Sequence, residues 1–161
     1  MAIRRAKQKQ QVIEKLSQVA PPGETFISCV HAETGPSPWL NALFDEIPGV
    51  GLIVALSRKQ YFLTLTNTSV VVNSASRFTN RPGDVVAVFP REGFPASNAN
   101  RARVWSKIYV QFPNSAKATR LNVHGFWNSE FDQLLAALPA SAFADGQIPK
   151  QAQAAQGQYS N

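Results

Sequence analysis

Cysteine and histidine are scarce in this sequence, and their scarcity excludes several kinds of chemistry. Cys29 is the only cysteine among 161 residues, so no disulfide can form within the chain. Its surroundings, FISCV, are typical of a buried strand, which favours an unreactive core thiol over a nucleophile. The two histidines, His31 and His124, fall in separate predicted strands without a matched carboxylate or cysteine motif. The sequence therefore predicts neither a catalytic nor a metal site.

Signature motifs of the common enzyme classes are also missing. The sequence contains no Walker loop, no GxGxxG, no GxSxG and no HExxH. A Cys29–His31 pair would face one side of a strand, but a further metal ligand to complete the set is missing. We therefore predict that the protein is not an enzyme and carries no cofactor.

Long apolar runs are absent as well. The longest, residues 49–56, has eight residues, whereas a helix that spans a bilayer needs about 20. Residues 1–20 are basic and polar and lack the apolar region of a secretory signal. These absences predict a cytoplasmic protein, and they leave open a peripheral place at a membrane surface.

Positive charge is present but unevenly distributed. The net charge is +6, and residues 1–20 contribute five basic and one acidic side chain, while residues 77–120 contribute eight basic and two acidic. Residues 21–76 and 121–161 each carry a net charge of −2. This concentration favours an anionic partner. A surface charge that only increases solubility explains it equally well.

Length and composition predict one folded domain between two terminal segments. A basic helix is predicted for residues 1–20, because this segment lacks Gly and Pro and is followed by Pro21-Pro22-Gly23. Residues 21–139 contain the β-strand patterns. Residues 140–161 contain almost no large apolar side chain, and their repeated Gln and Ala predict a disordered tail.

The folded domain reads as a series of short strands. YFLTLT at 61–66 and the valine run at 70–72 are strongly β-prone, and Thr66-Asn67-Thr68 between them supplies a turn. The predicted strands are 24–32, 51–56, 61–66, 69–73, 84–90, 102–112 and 119–124, with a short helix at 39–46 and loops at 74–83 and 92–100.

Residues 127–138, WNSEFDQLLAAL, predict an amphipathic helix that closes the domain. Its apolar stripe consists of Phe131, Leu134, Leu135 and Leu138. Ser129 is the predicted N-cap, and Glu130 and Asp132 place negative charge at the positive end of the helix dipole. Each stripe residue gains about 1.5–3 kcal/mol on full burial, so the helix must cover an apolar surface, which the strands provide.

Two segments resemble bacterial pleckstrin homology-like (PH-like) domain proteins. YFLTLTNTSVVVNSASRFTNRPGDVVAVFPR, residues 61–91, resembles their aromatic strand, Thr-Asn turn, valine strand and polar loop. APPGETFISCVHAETGPSPW, residues 20–39, resembles the opening of uncharacterised bacterial proteins of this type. The resemblance covers residues 20–139 and implies a mainly β fold. That fold is a bent antiparallel barrel of about seven strands capped by a C-terminal helix, here with an extra N-terminal helix.

The resemblance to PH-like domains carries a functional expectation. Eukaryotic PH domains bind phosphoinositides through a basic cluster between their first two strands. Here residues 33–51 contain Asp45 and Glu46 and no Lys or Arg, so the familiar headgroup site is not expected. In bacteria the resemblance implies a scaffold, an oligomer or a protein-binding module.

The strand at 102–112 carries the candidate binding surface. Its predicted core face consists of Val104, Ser106, Ile108, Val110 and Phe112. Its opposite face consists of Arg103, Trp105, Lys107, Tyr109 and Gln111, and outward residues of a paired strand, Arg120, Asn122 and His124, would extend it. Such a basic and aromatic face can bind single-stranded nucleic acid or anionic lipid. Alternatively, the N-terminal helix or residues 35–51 cover its aromatic side chains.

Together these patterns predict a non-enzymatic interaction or scaffold module. Its partner would be another protein or a second copy, received at an exposed strand edge or in a groove beside the closing helix. The candidate binding residues are Arg103, Trp105, Lys107 and Tyr109, with Arg58, Lys59, Arg77 and Arg81 as a second basic group. The alternatives are a nucleic-acid-binding protein that uses the same strand face and a peripheral binder of anionic membrane.

Overall fold

The computed structural model describes residues 2–36 and 57–143. The helix predicted at 39–46 and the strand predicted at 51–56 lie outside these described residues. Most of the predicted tail, residues 144–161, lies outside them too.

Seven antiparallel strands form one open sheet, and a helix precedes and follows them in the described chain. The helices are α1 (Ala2–Val19) and α2 (Asn128–Ala137). The strands are β1 (Phe26–Thr34), β2 (Gln60–Thr66), β3 (Ser69–Ala75), β4 (Pro82–Pro90), β5 (Ala96–Asn100), β6 (Trp105–Val110) and β7 (Thr119–His124). Short 3₁₀ turns occupy Arg91–Gly93, Gly125–Trp127 and Ala140–Ala142. The predicted mainly β architecture with a helix near each end is confirmed.

The strand order is β4-β3-β2-β1-β7-β6-β5, which places the first strand in the middle of the sheet. β1 pairs with β2 at seven positions, but its register with β7 consists of two pairs, Glu33 with Asn122 and Thr34 with Leu121. The sheet therefore consists of β1–β4 and β5–β7, each contiguous in sequence, joined along a short seam.

The predicted hairpin of β2 and β3 is confirmed, and its turn is fixed by side chains. The Thr66 hydroxyl accepts a hydrogen bond from the Ser69 backbone N–H at 2.9 Å and donates to the Glu24 carboxylate at 2.6 Å. The Asn67 side chain accepts from the Thr25 N–H at 2.8 Å, which ties the turn to the start of β1. Local turn chemistry therefore sets this register.

The stripe of α2 is buried as predicted. Phe131, Leu134, Leu135 and Leu138 all lie in the core. The helix packs on β1 and β7, so it covers the seam between the two parts of the sheet. Helix α1 packs against β1 and β4, and its Val12 and Leu16 are buried.

Two predictions about the second half of the sheet are wrong. β5 lies inside the loop predicted at 92–100, where it pairs with β6. Val104 was expected in the core, but it precedes β6 and is 56% exposed. The Gly125 N–H donates to the Val104 carbonyl at 2.7 Å, and the Asn128 side chain donates to the Arg103 carbonyl at 3.0 Å. These bonds hold Arg103 and Val104 against the turn before α2, outside the strand ladder.

The chain just after α2 is packed against the sheet. The sequence predicts a tail from residue 140, but Ala142 and Phe143 are buried in the core. The turn Ala140–Ala142 contacts β5. The groove expected beside the closing helix is therefore occupied, on the β5 side, by the chain itself.

Candidate functional site

The register of β6 and β7 assembles the predicted surface. Trp105 lies opposite His124, Lys107 opposite Asn122, and Tyr109 opposite Arg120. We call these six residues the basic-aromatic face. Trp105, Lys107 and Tyr109 are half-buried, while the alternate residues Ser106, Ile108 and Val110 are buried. The predicted alternation of β6 is confirmed, and Arg120 and His124 extend its half-buried face on β7. Asn122, predicted to point outward, is instead buried, at 3% exposed.

Arg103 does not belong to this ladder. It precedes β6, its side chain is exposed, and its carbonyl accepts the hydrogen bond from Asn128. Of the four residues predicted for the main site, the structure therefore aligns Trp105, Lys107 and Tyr109, and it leaves Arg103 beside them in a bend.

Asn122 organises the middle of the basic-aromatic face. Its side-chain nitrogen lies 3.3 Å from the carbonyls of both Gly35 and Pro36, which fixes the end of β1 against β7. Its side-chain oxygen accepts a hydrogen bond from Arg120 Nε at 3.0 Å. This bond positions the guanidinium of Arg120 next to Tyr109 on the face.

A cleft of about 460 Å³ opens at the Trp105 end of this face. The first turns of α1 form one wall, and β1, β6, β7 and the turn Gly125–Trp127 form the rest. The lining residues are Arg4, Arg5, Gln8, His31, Glu33, Asn80, Trp105, Asn122, His124, Phe126 and Trp127. The His124 ring lies between those of Trp105 and Phe126, with ring centroids 4.7 Å and 4.3 Å away. The volume of this cleft and its aromatic walls are typical of a binding site.

The polar groups of the cleft include both donors and acceptors: the Arg4 guanidinium donates, while the buried Asn80 Oδ1 is an acceptor with no hydrogen-bond partner among the described residues. Glu33 forms an ion pair with Arg58 at 3.5 Å, which compensates the acidic group of the cleft. His124 Nδ1 accepts a hydrogen bond from the Phe126 N–H at 3.2 Å, so in the neutral ring the hydrogen lies on Nε2. Arg4 is exposed at the mouth. The cleft and the face therefore suit a partner that combines negative charge with flat apolar groups.

Cys29 is a core residue, and His31 is half-buried in the wall of the cleft. Burial raises the pKa of the Cys29 thiol to about 12, so the thiol stays protonated near neutral pH. Burial lowers the pKa of His31 to about 4, which keeps the ring neutral. The His31 ring packs edge-on against Phe62, with centroids 5.1 Å apart. The prediction that Cys29 is buried is confirmed.

The structure brings together only part of the second basic group, which consists of Arg58, Lys59, Arg77 and Arg81. Arg58, Lys59 and Arg77 line a second cleft of about 440 Å³ together with Tyr61, but Arg81 is not among its lining residues. An Arg77 Nη2 hydrogen donates to the Arg58 carbonyl at 2.7 Å. Because Arg58 also pairs with Glu33, two of these arginines help to hold the β1–β2 end of the sheet.

The sequence reasoning missed the role of Glu130, which fastens α1 to the start of α2. Its side chain is 5% exposed, pairs closely with Lys9, and lies 3.9 Å from Arg5 Nη1. Burial raises the pKa of Glu130, but hydrogen bonds from Lys9 and Ser129 outweigh burial and hold it below 4.5. Ser129 therefore bonds to Glu130, at 2.7 Å, and is not the N-cap predicted from the sequence.

This arrangement positions the cleft wall, because Arg5 lines the cleft and also donates a hydrogen bond to the Phe126 carbonyl. The signal for it in the sequence is the spacing of Arg5 and Lys9, which lie four residues apart on one face of a helix.

Among the described residues, no group of three or more His, Cys, Asp or Glu side chains is placed to hold a metal ion. None of the described helices is both long and apolar enough to cross a membrane. The sequence matches no protein-family model and no curated protein.

Proposed function

We propose that this chain is a non-enzymatic protein-interaction module built on a PH-like fold. Seven antiparallel strands followed by one packed helix support that fold, because this is the arrangement that the resemblance implies. A fold of this kind serves many tasks, so the function has to be argued from the surface.

The basic-aromatic face is the observation that carries the proposal. The ladder from Trp105 to Tyr109 and its partners on β7 contains no acidic side chain, while Lys107 and Arg120 supply positive charge. Tyr and Trp give large contact areas at a low cost in conformational entropy, which is why interfaces are enriched in them. We therefore propose that this face binds an acidic segment of a partner protein, with an aromatic residue of that segment against Trp105.

The same geometry disfavours the two alternatives at this face. Affinity for nucleic acid comes largely from contacts between basic side chains and phosphates, and strongly salt-dependent binders make about 6–10 of them. The face, its neighbour Arg103 and the mouth of the cleft offer five cations, and one of them, Arg5, is already paired with Glu130; the other four are Arg4, Arg103, Lys107 and Arg120. Insertion into lipid would need a projecting aromatic side chain, but Trp105 is half-buried in the cleft.

Charge removal on the face tests the proposal. The double variant Lys107→Gln, Arg120→Gln should bind the acetylated peptide EEFEE about threefold to tenfold more weakly than the parent chain. The reason is that each partly exposed ion pair between one of these cations and a glutamate of the peptide contributes up to about 1 kcal/mol to binding. Isothermal titration calorimetry measures the change. The matched control is Lys117→Gln, Arg91→Gln, which removes two positive charges elsewhere.

The control variant should bind EEFEE as the parent does, and the neutral peptide QQFQQ should bind more weakly than EEFEE. Equal affinity of the parent for the two peptides, or of the two double variants for EEFEE, would contradict the proposal. Tighter binding of a thymidine oligonucleotide, with a steep loss on adding salt, would assign the face to nucleic acid instead.

The open edge of the sheet favours self-association as a second candidate. β4 has β3 as its hydrogen-bonded neighbour and lies at the end of the strand order. Val85, Val86 and Val88 on it are exposed, Val88 by 58%. Unpaired edges with apolar side chains pair readily with another chain. Pro82 and Pro90 lack an N–H, so they would confine pairing to the residues between them.

We expect light scattering to give a mass near twice 17.6 kDa for the parent chain. Val88→Lys should return the mass to that of one chain, because a charge would be buried in the paired edge. Val104→Lys is the control, since Val104 is equally exposed but lies outside β4. A parent chain that stays monomeric at its highest soluble concentration would exclude this edge as a dimer interface.

A further inference from the structure

We propose that the end of the molecule around the first turn of α1 docks on an anionic lipid bilayer. The docking surface consists of three exposed apolar side chains, Ile3, Phe78 and Phe126, and two exposed arginines, Arg4 and Arg81. This proposal goes beyond the protein-binding function. It shares Arg4 and Phe126 with the cleft, but Ile3, Phe78 and Arg81 lie outside the basic-aromatic face and outside the cleft lining.

The exposure of these apolar side chains is unusual. Phe78 is 92% exposed, Ile3 87% and Phe126 53%. Large apolar side chains are most often buried, and single exceptions are common, but Phe78 and Ile3 project almost entirely into water. Side chains in this position can enter the boundary between headgroups and acyl chains without any rearrangement of the core.

Contacts around the cleft bring the three side chains to one end of the molecule. Asn80, Arg4 and Phe126 line the same cleft. Phe78 lies two residues before Asn80 in a tight loop, which is closed by a hydrogen bond from the Asn80 N–H to the Ser76 carbonyl at 2.7 Å. Ile3 precedes Arg4 on α1. The surface is therefore built from α1, the β3–β4 loop and the turn before α2.

The charge of this end complements an anionic surface. Arg4 and Arg81 are exposed, and Arg77 lies in the same loop as Phe78. Among the described residues, the nearby acidic groups are Glu33, which is paired with Arg58, Glu130, which is paired with Lys9 and Arg5, and Asp84, which is exposed near the start of β4. Exposed basic residues close to a bilayer that contains anionic lipid are attracted within about a Debye length.

The pattern fits a bilayer better than a protein partner. A protein interface needs a contiguous core from which water is excluded. Here the apolar side chains are separated by arginines and by the open cleft, so they do not form one patch. A bilayer accepts each apolar side chain separately, while the arginines remain among the headgroups.

Vesicle flotation tests the proposal with the full chain. We expect at least fivefold stronger partition onto phosphatidylcholine vesicles that contain about one-third phosphatidylserine than onto pure phosphatidylcholine. Phe78→Ser should reduce partition onto the acidic vesicles about fivefold, and Arg4→Gln with Arg81→Gln should reduce it about tenfold. The matched controls are Val19→Ser, an exposed apolar residue at the last position of α1, and Lys117→Gln, an exposed cation in the β6–β7 turn.

Insertion can be separated from charge attraction with a tryptophan probe. Phe78→Trp should become strongly quenched by brominated lipids in acidic vesicles, whereas Val19→Trp should not. Equal partition onto acidic and neutral vesicles, an unchanged partition of Phe78→Ser, or equal quenching of the two tryptophan variants would each overturn the proposal. Phe78→Ser should bind the EEFEE peptide as the parent does, so failure here would leave the protein-binding proposal untouched.

Discussion

Replacing Leu134 with alanine is expected to lower the free energy of unfolding by about 2–5 kcal/mol. Leu134 is fully buried in the stripe of α2 that packs on β1 and β7, so its truncation leaves a cavity at the seam of the sheet. Urea denaturation followed by fluorescence measures the change. The matched control is Gln133→Ala, an exposed neighbour on the same helix, which should change stability by less than about 0.5 kcal/mol.

This comparison tests whether the packing of α2 on β1 and β7 stabilises the fold. If Leu134→Ala costs no more than Gln133→Ala, the closing helix does not hold the sheet, and the PH-like proposal loses its main support. If Leu134→Ala does not fold, Leu134→Met keeps the volume and should cost less than about 1.5 kcal/mol.

Removing the charge of Glu130 is the change with the second-largest expected effect. Breaking a fully buried ion pair costs about 3–5 kcal/mol, but Lys9 and Arg5 are about one-third exposed, so we expect Glu130→Gln to cost about 1–3 kcal/mol. Circular dichroism should also record a loss of helix, because the first turns of α1 lose their attachment. The control is Glu14→Gln, which removes an exposed carboxylate from α1.

The effect of Glu130 should depend on pH in a defined direction. Its pKa in the folded protein lies below 4.5, so the carboxylate contributes its full stabilisation above about pH 4.5. That contribution is lost as the pH falls through the lowered pKa. The difference in unfolding free energy between the parent and Glu130→Gln should therefore shrink on acidification. A difference that stays constant or grows below pH 4.5 would contradict the assigned ion pair.

Elements with strong local signals could be predicted from the sequence. The apolar stripe of α2, the hairpin of β2 and β3, and β7 follow from periodicity, β-propensity and turn residues. β5 could not be predicted, because ASNAN has little β-propensity and becomes a strand by pairing with β6. Its Asn98 has a φ of 47°, an irregularity that no pattern of apolar residues signals.

The site was predictable only where it follows from strand alternation. Period two was enough to place Trp105, Lys107 and Tyr109 on one face. The burial of Glu130 was not predictable in this way, because it depends on Arg5 and Lys9, which lie more than 100 residues earlier in the chain. Arg58 likewise appeared as part of a free basic group, although Glu33 compensates its charge.

The short seam between β1 and β7 has a consequence for how the molecule behaves as a whole. Strands β2–β4 and β5–β7 can each assemble by local pairing of neighbouring strands before the two portions of the sheet meet, whereas β1 and β2 are separated by residues 35–59. Among the described residues, little backbone pairing joins the two portions of the sheet. The packing of α2 on both β1 and β7 therefore couples their unfolding. We therefore expect the packing of this ten-residue helix to decide whether the two portions of the sheet unfold together or separate from each other first.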